Sequence, residues 1–587
     1  MNADDKLKMV REAMQLAGVQ GFIQPLHDEF ISEYPPACAR RLQWLCGFSG
    51  SAGSLVVLRD KAALFTDGRY TLQAANEVDG ALFESYNSAD LTSAAWTAQQ
   101  APAMIGYDAR LFTPAMLKHY EKASEGKVQF MPIANPIDAV WNDRPAQPAT
   151  PLFVHDMAYA GQSAKEKRAQ LCEFIARKQG DAMLLSAPDS ICWLLNIRAS
   201  DVEHSPLLLA SLLVERDGPA TLFVDPARCD AAVRQHLGDS LTLAHPDDME
   251  RTLAAFAKGK PTVLADPAQV TLWFAQAMQG AQFIDCPDPC QKWKAVKNMV
   301  ELAGIRTAHI RDGVAIVKLL HWLDSEVATR AITELNVCDR LRSFRAESPH
   351  FHDLSFPTIS GSGPHGAIVH YRADENSNRV LGEGELFLLD SGAQYPDGTT
   401  DITRTIPIGK PTGEMCDRFT RVLKGHIALA TARFPKGTSG SQLDTLARQY
   451  LWQAGVDYDH GTGHGVGCFL SVHEGPQRIS KRGGDVALEP GMIISNEPGY
   501  YKTGAYGIRI ENLVVVVESG DGAGGKPFYG FDTVTCAPID TRLVDATMLT
   551  VDEKNWLNSY HAWVEDALAE HLNEAQRAWL AGRCAAL

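Results

Sequence analysis

Apolar and polar positions along the chain follow two periods that alternate in a repeated order. Leu7, Val10 and Met14 recur at helical spacing up to Gly18, and residues 20–24 then read as a strand. A helix over residues 40–45 precedes SLVVL, an Arg59-Asp60 turn and KAALFTD, a predicted hairpin. The order then returns: a helix over 163–178, a strand over 181–185, a helix over 190–196, then LASLLVE, an Asp217-Gly218 turn and ATLFVD. Trp44-Leu45 and Trp193-Leu194 fall at matching points of the two runs, which predicts a duplicated α/β domain.

Between the copies, PIANPIDAVWNDRPAQPATP holds five prolines in twenty residues, a linker composition. Cys286-Pro-Asp-Pro-Cys290 and QKWKAVKN mark the next boundary. From Met299 a long helix is expected, with Val300, Leu302, Ile305, Ile310, Val314, Val317, Leu319 and Leu320 on its apolar face. Further helices are predicted over 333–345, 413–434 and 442–454, the last closed by Gly455. Past residue 512, VVVVE, a glycine-rich turn at 520–525 and KPFYGFDTVT form an antiparallel extension. Thr550 with Glu553 then caps a helix whose Trp556, Tyr560 and Trp563 stripe reads as core packing, with a subunit interface as the alternative. These breaks give domains at 1–150, 151–296 and 297–587, with a C-terminal extension from about 525.

At 587 residues the chain exceeds what one core supports, in keeping with about three domains. A net charge of −16 argues against a nucleic acid or an anionic membrane as partner. MNADDKLKMVREAM lacks the apolar segment of a signal peptide, and no run reaches the ~18 apolar residues of a membrane helix. The twelve cysteines are scattered, without a second close pair to complete a zinc site, and read as reduced thiols of a cytoplasmic protein.

The candidate chemistry centres on ELFLLDSGAQYPDGTTDITRT, residues 385–405. Leu386-Phe387-Leu388-Leu389 reads as a buried strand, Pro396-Asp397-Gly398 as a turn and Thr399 onward as a returning strand. Each arm carries a lone carboxylate, Asp390 and Asp401, which a simple hairpin would set opposite each other. Like charges ~5 Å apart at the end of an apolar strand call for a cation or a proton between them. Further donors follow in HGTGHGVG, with His460 and His464 among glycines, in SNEPGYY with Glu497, and in GIRIENLVVVVE with Glu511. Read as one strand, the last stretch puts Arg509 and Glu511 on one face. Four carboxylates and one imidazole suit a pair of hard or borderline divalent ions. FPTISGSGPHGAIVHY contains Gly361-x-Gly-x-x-Gly366, but Pro364 and the β-branched residues after it predict a strand where a dinucleotide fingerprint needs a helix, and the glycines read instead as a close-approach loop. No G-x-S-x-G is present, and no cysteine has an evident histidine partner.

LDSGAQYPDGTTDITRT, HGTGHGVG, SNEPGYY and GIRIEN resemble the ligand blocks of the pita-bread metallopeptidases, most closely the long, three-domain aminopeptidase P (Xaa-Pro aminopeptidase) family. The resemblance runs over nearly the whole chain. It implies two related N-terminal α/β domains, of the creatinase/prolidase N-terminal kind, before a pita-bread catalytic domain. It assigns Asp390, Asp401, His464, Glu497 and Glu511 as ligands of two divalent ions, with Asp401 and Glu511 bridging. The metal it implies is manganese, while cobalt or zinc could fill the same ligands.

The implied reaction is hydrolysis of the N-terminal Xaa-Pro bond of a peptide by a metal-bridged hydroxide, with Glu497 as general acid/base or as a ligand and nothing more. His370, His460 and His473 match the family's non-ligand histidines, and His370 and His473 would donate to the substrate carbonyl. Taken singly, each is an ordinary polar residue with a partner. Arg509, on the face of Glu511, is expected to tether a bridging carboxylate or neutralise the cluster, or else to form a plain surface ion pair. The resemblance also implies peptides with proline at position two as substrates and a homodimer formed through the C-terminal domain. A prolidase, or a peptide-binding module without catalysis, are the alternatives.

Overall fold

The computed structural model describes residues Met1–Leu587, which form two compact units: Met1–Asp156 with Gln162–Cys290, and Met157–Gly161 with Gln291–Leu587. The first unit contains two six-stranded sheets. In one, Gly21–Pro25 runs antiparallel to Ser54–Leu58 and parallel to Met104–Tyr107. Ala62–Thr66 and Glu84–Asn87 complete one flank and Gln129–Pro132 the other. In the other sheet, Ala182–Leu185 takes the same central place, antiparallel to Ser211–Glu215 and parallel to Thr262–Ala265. Ala220–Phe223, Leu241–Ala244 and Gln282–Asp285 lie outside them.

Strand order and the sense of every pairing agree, so the repeated sequence pattern is a repeated fold. The repetition reaches individual side chains. Lys6 donates to the Trp44 carbonyl at 2.7 Å and sits 4.7 Å from that ring, and Lys167 donates to the Trp193 carbonyl at 3.0 Å and sits 4.1 Å from its ring. A cation–π contact of this kind contributes ~0.5–2 kcal/mol, and here it fastens the first helix of each copy to the tryptophan helix. The proline-rich stretch between the sheets is packed rather than free: Ile137 and Trp141 enter the first core, and Trp141 stacks on Trp44 at 5.6 Å.

In the second unit, the helix Met299–Glu326 starts at a capping box. The Asn298 side chain accepts from the N–H groups of Val300 and Glu301, and the Glu301 carboxylate accepts the Asn298 N–H. Its Ala315, Ile316, Leu319 and Leu323 pack with Phe387, Leu389, Ile402 and Ile406, so the helix backs the two strands that lead to Asp390 and Asp401. Leu386–Ser391 is fully buried, central between Ile359–Ser362 and Ile402–Pro407.

A six-stranded sheet runs Phe434–Pro435, Pro527–Thr533, Asn512–Asp521, Ile493–Asn496, Gly463–Gly465, Glu474–Ile479. Helices Gly413–Ala430, Gly440–Trp452 and Val551–Ala569 share a core with Ile508 and Ile510. Thr550 and Glu553 form the expected box. Tyr560 of the aromatic stripe is buried and stacked on Trp556 at 5.4 Å, while Trp563 stays 37% exposed, so only part of the stripe is core. No helix is long and apolar enough to cross a membrane.

Two stretches depart from the single strand expected of each. After Ser362 the chain turns into a 3-10 helix, Gly363–Ala367, and His370 lies in the turn that follows. The cause is a close backbone approach: Gly363 adopts φ 53°, and a Cβ on Gly361 would lie 2.8 Å from the Gly366 nitrogen. A 3-10 turn of this length offers no helix for a dinucleotide, so the fingerprint is excluded for a different reason than the one expected. GIRIENLVVVVE is likewise two strands, Tyr506–Arg509 paired with Gly499–Lys502 and Asn512–Asp521 in the large sheet. Between them the Glu511 N–H leaves the ladder and donates to the Thr403 carbonyl at 3.1 Å.

Candidate metal centre

The hairpin that carries the first two carboxylates turns at Pro396-Asp397 and keeps one register along both of its ladders, so they do not face each other. Asp390 lies opposite Thr403, two residues beyond Asp401, and a second short ladder, Ala393–Tyr395 with Gly398–Thr399, forms the tip. Between the two ladders the strands pass so close that a Cβ on Gly392 would fall 2.0 Å from the Thr400 carbonyl oxygen. Asp390 and Asp401 are therefore diagonal neighbours.

Around them the other donors converge. Asp401, His464 and Glu511 each place a ligand atom within 4.8 Å of the others. His464 Nε2 is 3.5 Å from Asp401 Oδ2 and 3.6 Å from Glu497 Oε1. The strand Gly463–Gly465 can run this close to Ile493–Asn496 because a Cβ on Gly463 would sit 2.0 Å from the Ser495 carbonyl oxygen. Ser495 Oγ accepts the His464 N–H at 2.9 Å and donates to Glu497 Oε1 at 3.0 Å, fixing both donors from one residue. His464 Nδ1 donates to the Gly465 carbonyl at 2.8 Å, which directs Nε2 at the carboxylates. Thr403 Oγ1 donates to Glu511 Oε2 at 2.8 Å.

Arg509 is the cationic hub, and it is buried, which excludes a surface ion pair. Its Nη2 pairs with Asp390 Oδ2 at 2.5 Å, its Nε donates to Thr403 Oγ1 at 3.1 Å and its Nη1 to the Tyr501 hydroxyl at 2.5 Å. Nη2 also reaches the Val369 carbonyl at 3.4 Å, anchoring the turn on which His370 stands. The carboxylate that Arg509 engages is thus Asp390, not its near neighbour Glu511. His460 joins the same network: its Nε2 lies 2.9 Å from the Tyr501 hydroxyl, and its Nδ1 donates to the Gly461 carbonyl at 2.7 Å, 4.0 Å from Glu497 Oε2. The His473 ring meets His464 edge to face with centroids 4.3 Å apart.

The electrostatics are those of a buried, acid-rich cluster. Burial, and then the charges of its neighbours, push the Asp401 carboxyl up to about 6, partly opposed by His464. Glu511 is driven well above the carboxylate range by burial and by the charges of Asp401, Glu497 and Asp390. Burial opposes the charge on His464, but its hydrogen bond to Asp401 and the charges of Glu497 and Asp401 outweigh it and raise the imidazole to about 9. Asp390 Oδ1 and Asp401 Oδ1 are buried without a hydrogen-bond partner. Unpartnered carboxylate oxygens are costly in a buried place, and in a set of four carboxylates and one imidazole they are what hard divalent ions coordinate. The residues present fit such ions.

Asp401 keeps 6% of its side chain exposed, against 21% for His464 and 17% for Glu497, so the cluster opens on the side of these two. Reasoning from charged and imidazole groups overlooked Tyr501, Thr403 and Ser495. All three lie inside the motifs already singled out, and their signal was a hydroxyl within two to four residues of a carboxylate.

The profile of Metallopeptidase family M24 matches residues 303–518, and that of the C-terminal region of peptidase M24 matches 527–587. The Creatinase/Prolidase N-terminal domain is matched twice, over 6–140 and 143–301. A relative from Laccaria bicolor named a probable Xaa-Pro aminopeptidase P is 39% identical, covering 100% of this chain and 94% of its own. Aminopeptidase P2 of Arabidopsis thaliana is 40% identical over 98% of this chain and 88% of its own. The crystal structure of an X-prolyl aminopeptidase from Caenorhabditis elegans, described as a cytosolic enzyme with a di-nuclear active site, superposes with a TM-score of 0.95 at 35% identity over 100% of both chains. With two creatinase-like α/β domains before a pita-bread catalytic domain, the chain belongs to metallopeptidase family M24, as a member of the Xaa-Pro aminopeptidase P family.

Proposed function

We propose that this chain removes the N-terminal residue from peptides whose second residue is proline, using Asp390, Asp401, His464, Glu497 and Glu511 to hold two divalent ions. The observation that carries the reading is the convergence of Asp401, His464 and Glu511, with Glu497 beside His464, together with buried oxygens on Asp390 and Asp401 that have no hydrogen-bond partner. The domains 1–150 and 151–296 precede the domain 297–587 that carries every one of these residues. Manganese is the ion proposed, since the set is rich in hard oxygen donors and has no thiolate.

When bound, such ions would lower the pKa of an attacking water and polarise the scissile carbonyl. The chain's own residues do the rest. Glu497 stands on the open side of the cluster with Oε1 oriented by Ser495, placed to take the proton of the attacking water and return it to the departing proline nitrogen. His370 and His473 donate to the substrate carbonyl as negative charge grows on its oxygen, where one positioned donor is worth ~3–4 kcal/mol. His460 holds Tyr501, and Tyr501 with Asp390 and Thr403 fixes Arg509, so the histidine steadies the cluster from outside the ligand set.

Cleavage of Arg-Pro-Pro by metal-stripped protein, with and without manganese and alongside Asp401→Ala, tests the reading. Metal-dependent release of arginine, lost in the variant, is expected. Hydrolysis of Gly-Pro alone would make the protein a prolidase, and inactivity on both would leave a peptide-binding module.

A further inference from the structure

Two lysines from outside the ligand motifs, Lys294 and Lys297, converge on one carboxylate, Glu474, the residue after His473. All three side chains are shut off from solvent, with 0%, 1% and 1% exposed. Lys294 Nζ lies 3.1 Å from Glu474 Oε2 and 3.5 Å from the Gly475 carbonyl, while Lys297 pairs with Glu474 Oε1 and donates to the Lys294 carbonyl at 2.8 Å. Burying an ion costs several kcal/mol, and well-packed apolar side chains serve stability as well or better. Two ammonium groups around one carboxylate therefore call for a reason other than stability.

The reason lies in the ladder on which Glu474 sits. Gly463 pairs with Ile479 and His464 with Arg478, so a regular antiparallel register would next pair Gly465 with Gln477. Instead Gly465 pairs with Glu474, and residues 475–477 are thrown out of register. At ~3.3 Å per residue the slip moves the incoming chain by roughly 10 Å. The two backbones touch at the slip: a Cβ on Gly465 would be 2.6 Å from the Glu474 carbonyl oxygen. Because of the slip, His473 lands edge-on against His464, where the regular register would leave it beyond the end of the short strand. The lysines grip the Glu474 carboxylate and the neighbouring peptide, at the point where the ladder must not relax.

We infer that the Lys294–Glu474–Lys297 triad is a positioning device for His473, pinning the register slip that holds this imidazole at the metal centre. The inference rests on the reading of His473 as a donor to the substrate carbonyl. A double-mutant cycle on the manganese-loaded full chain tests it, with Lys297→Met, His473→Ala and the double variant. kcat and KM for Arg-Pro-Pro are measured together with bound metal and melting temperature.

His473→Ala should lower kcat by about a hundredfold. Lys297→Met should lower it by about tenfold or more, with bound metal unchanged, since a 1 Å misplacement can cost ~10²-fold. In the His473→Ala background the same lysine change should alter kcat by less than about twofold, because the group it positions is gone. Equal losses in the two backgrounds, which a merely structural role produces, would overturn the inference, as would full kcat in Lys297→Met. Unimpaired His473→Ala would remove the donor reading and the inference with it. If Lys297→Met does not fold, the isosteric Glu474→Gln carries the same cycle with the same two outcomes.

Discussion

Replacing Arg509 by Met leaves a side chain of similar reach without charge and strips the cluster of the guanidinium paired with Asp390. The structure sets the scale of the loss. The guanidinium is buried and serves Asp390, Thr403, Tyr501 and the Val369 carbonyl at once. Removing one partner of a buried ion pair costs ~3–5 kcal/mol, because the remaining charge is left without compensation. At ~2–4 °C per kcal/mol for a domain of this size, the metal-free catalytic unit should melt about 6–20 °C lower. Added manganese should narrow that gap, because ions held by the proposed ligands would neutralise Asp390 in place of the guanidinium. Differential scanning calorimetry of parent and variant, each chelator-treated and then manganese-loaded, reads both quantities. Equal melting of the two metal-free proteins, or a gap that manganese leaves unchanged, would refute the charge-balance reasoning and reduce Arg509 to a geometric spacer.

His426 is buried, with Nδ1 donating to the Asn496 carbonyl at 3.1 Å and Nε2 facing the Asn512 amide at 3.3 Å, so it ties together the residues beside Glu497 and Glu511. Burial, and then the charge of Arg404, push its pKa down to about 3, from an ordinary 6.5. The neutral form is the one the fold favours, so its contribution is fully present above pH 6.5 and is lost as pH falls towards 3. Urea midpoints between pH 7 and 4 should therefore drop less steeply in His426→Asn than in the parent, and parallel pH profiles would count against the assignment. The proposed homodimer, formed through the C-terminal domain, predicts a species of twice the 64.1 kDa chain mass in sedimentation at micromolar concentration. Only the single-chain species would exclude it.

Much of the fold was legible in the sequence because its signals are local. Period, caps and turn residues place the helix at Met299, the box at Thr550 and the order of elements in both N-terminal copies, where Trp44 and Trp193 already mark the repeat. Asp390, Asp401, Glu497 and Glu511 stood out for a similar reason, since a lone carboxylate at the end of an apolar strand has no cheap structural role, while their proposed role as ligands together with His464 came from the family resemblance. What failed was decided by contacts between distant segments. The strand expected through His370 gives way to a 3-10 turn where the Gly361 and Gly366 backbones meet, and the last strand breaks at Glu511 because its N–H is taken by Thr403.

The sequence by itself determined which residue types would meet and in what order, since periodicity and ligand chemistry are written one residue at a time. Only the tertiary structure decided which carboxylate Arg509 neutralises, which hydroxyls orient the donors, and that Glu474 sits three residues out of register between two buried lysines. These are matters of register and long-range approach. Neither is constrained by local propensity, because a ladder can slip without changing the conformational preference of any residue in it.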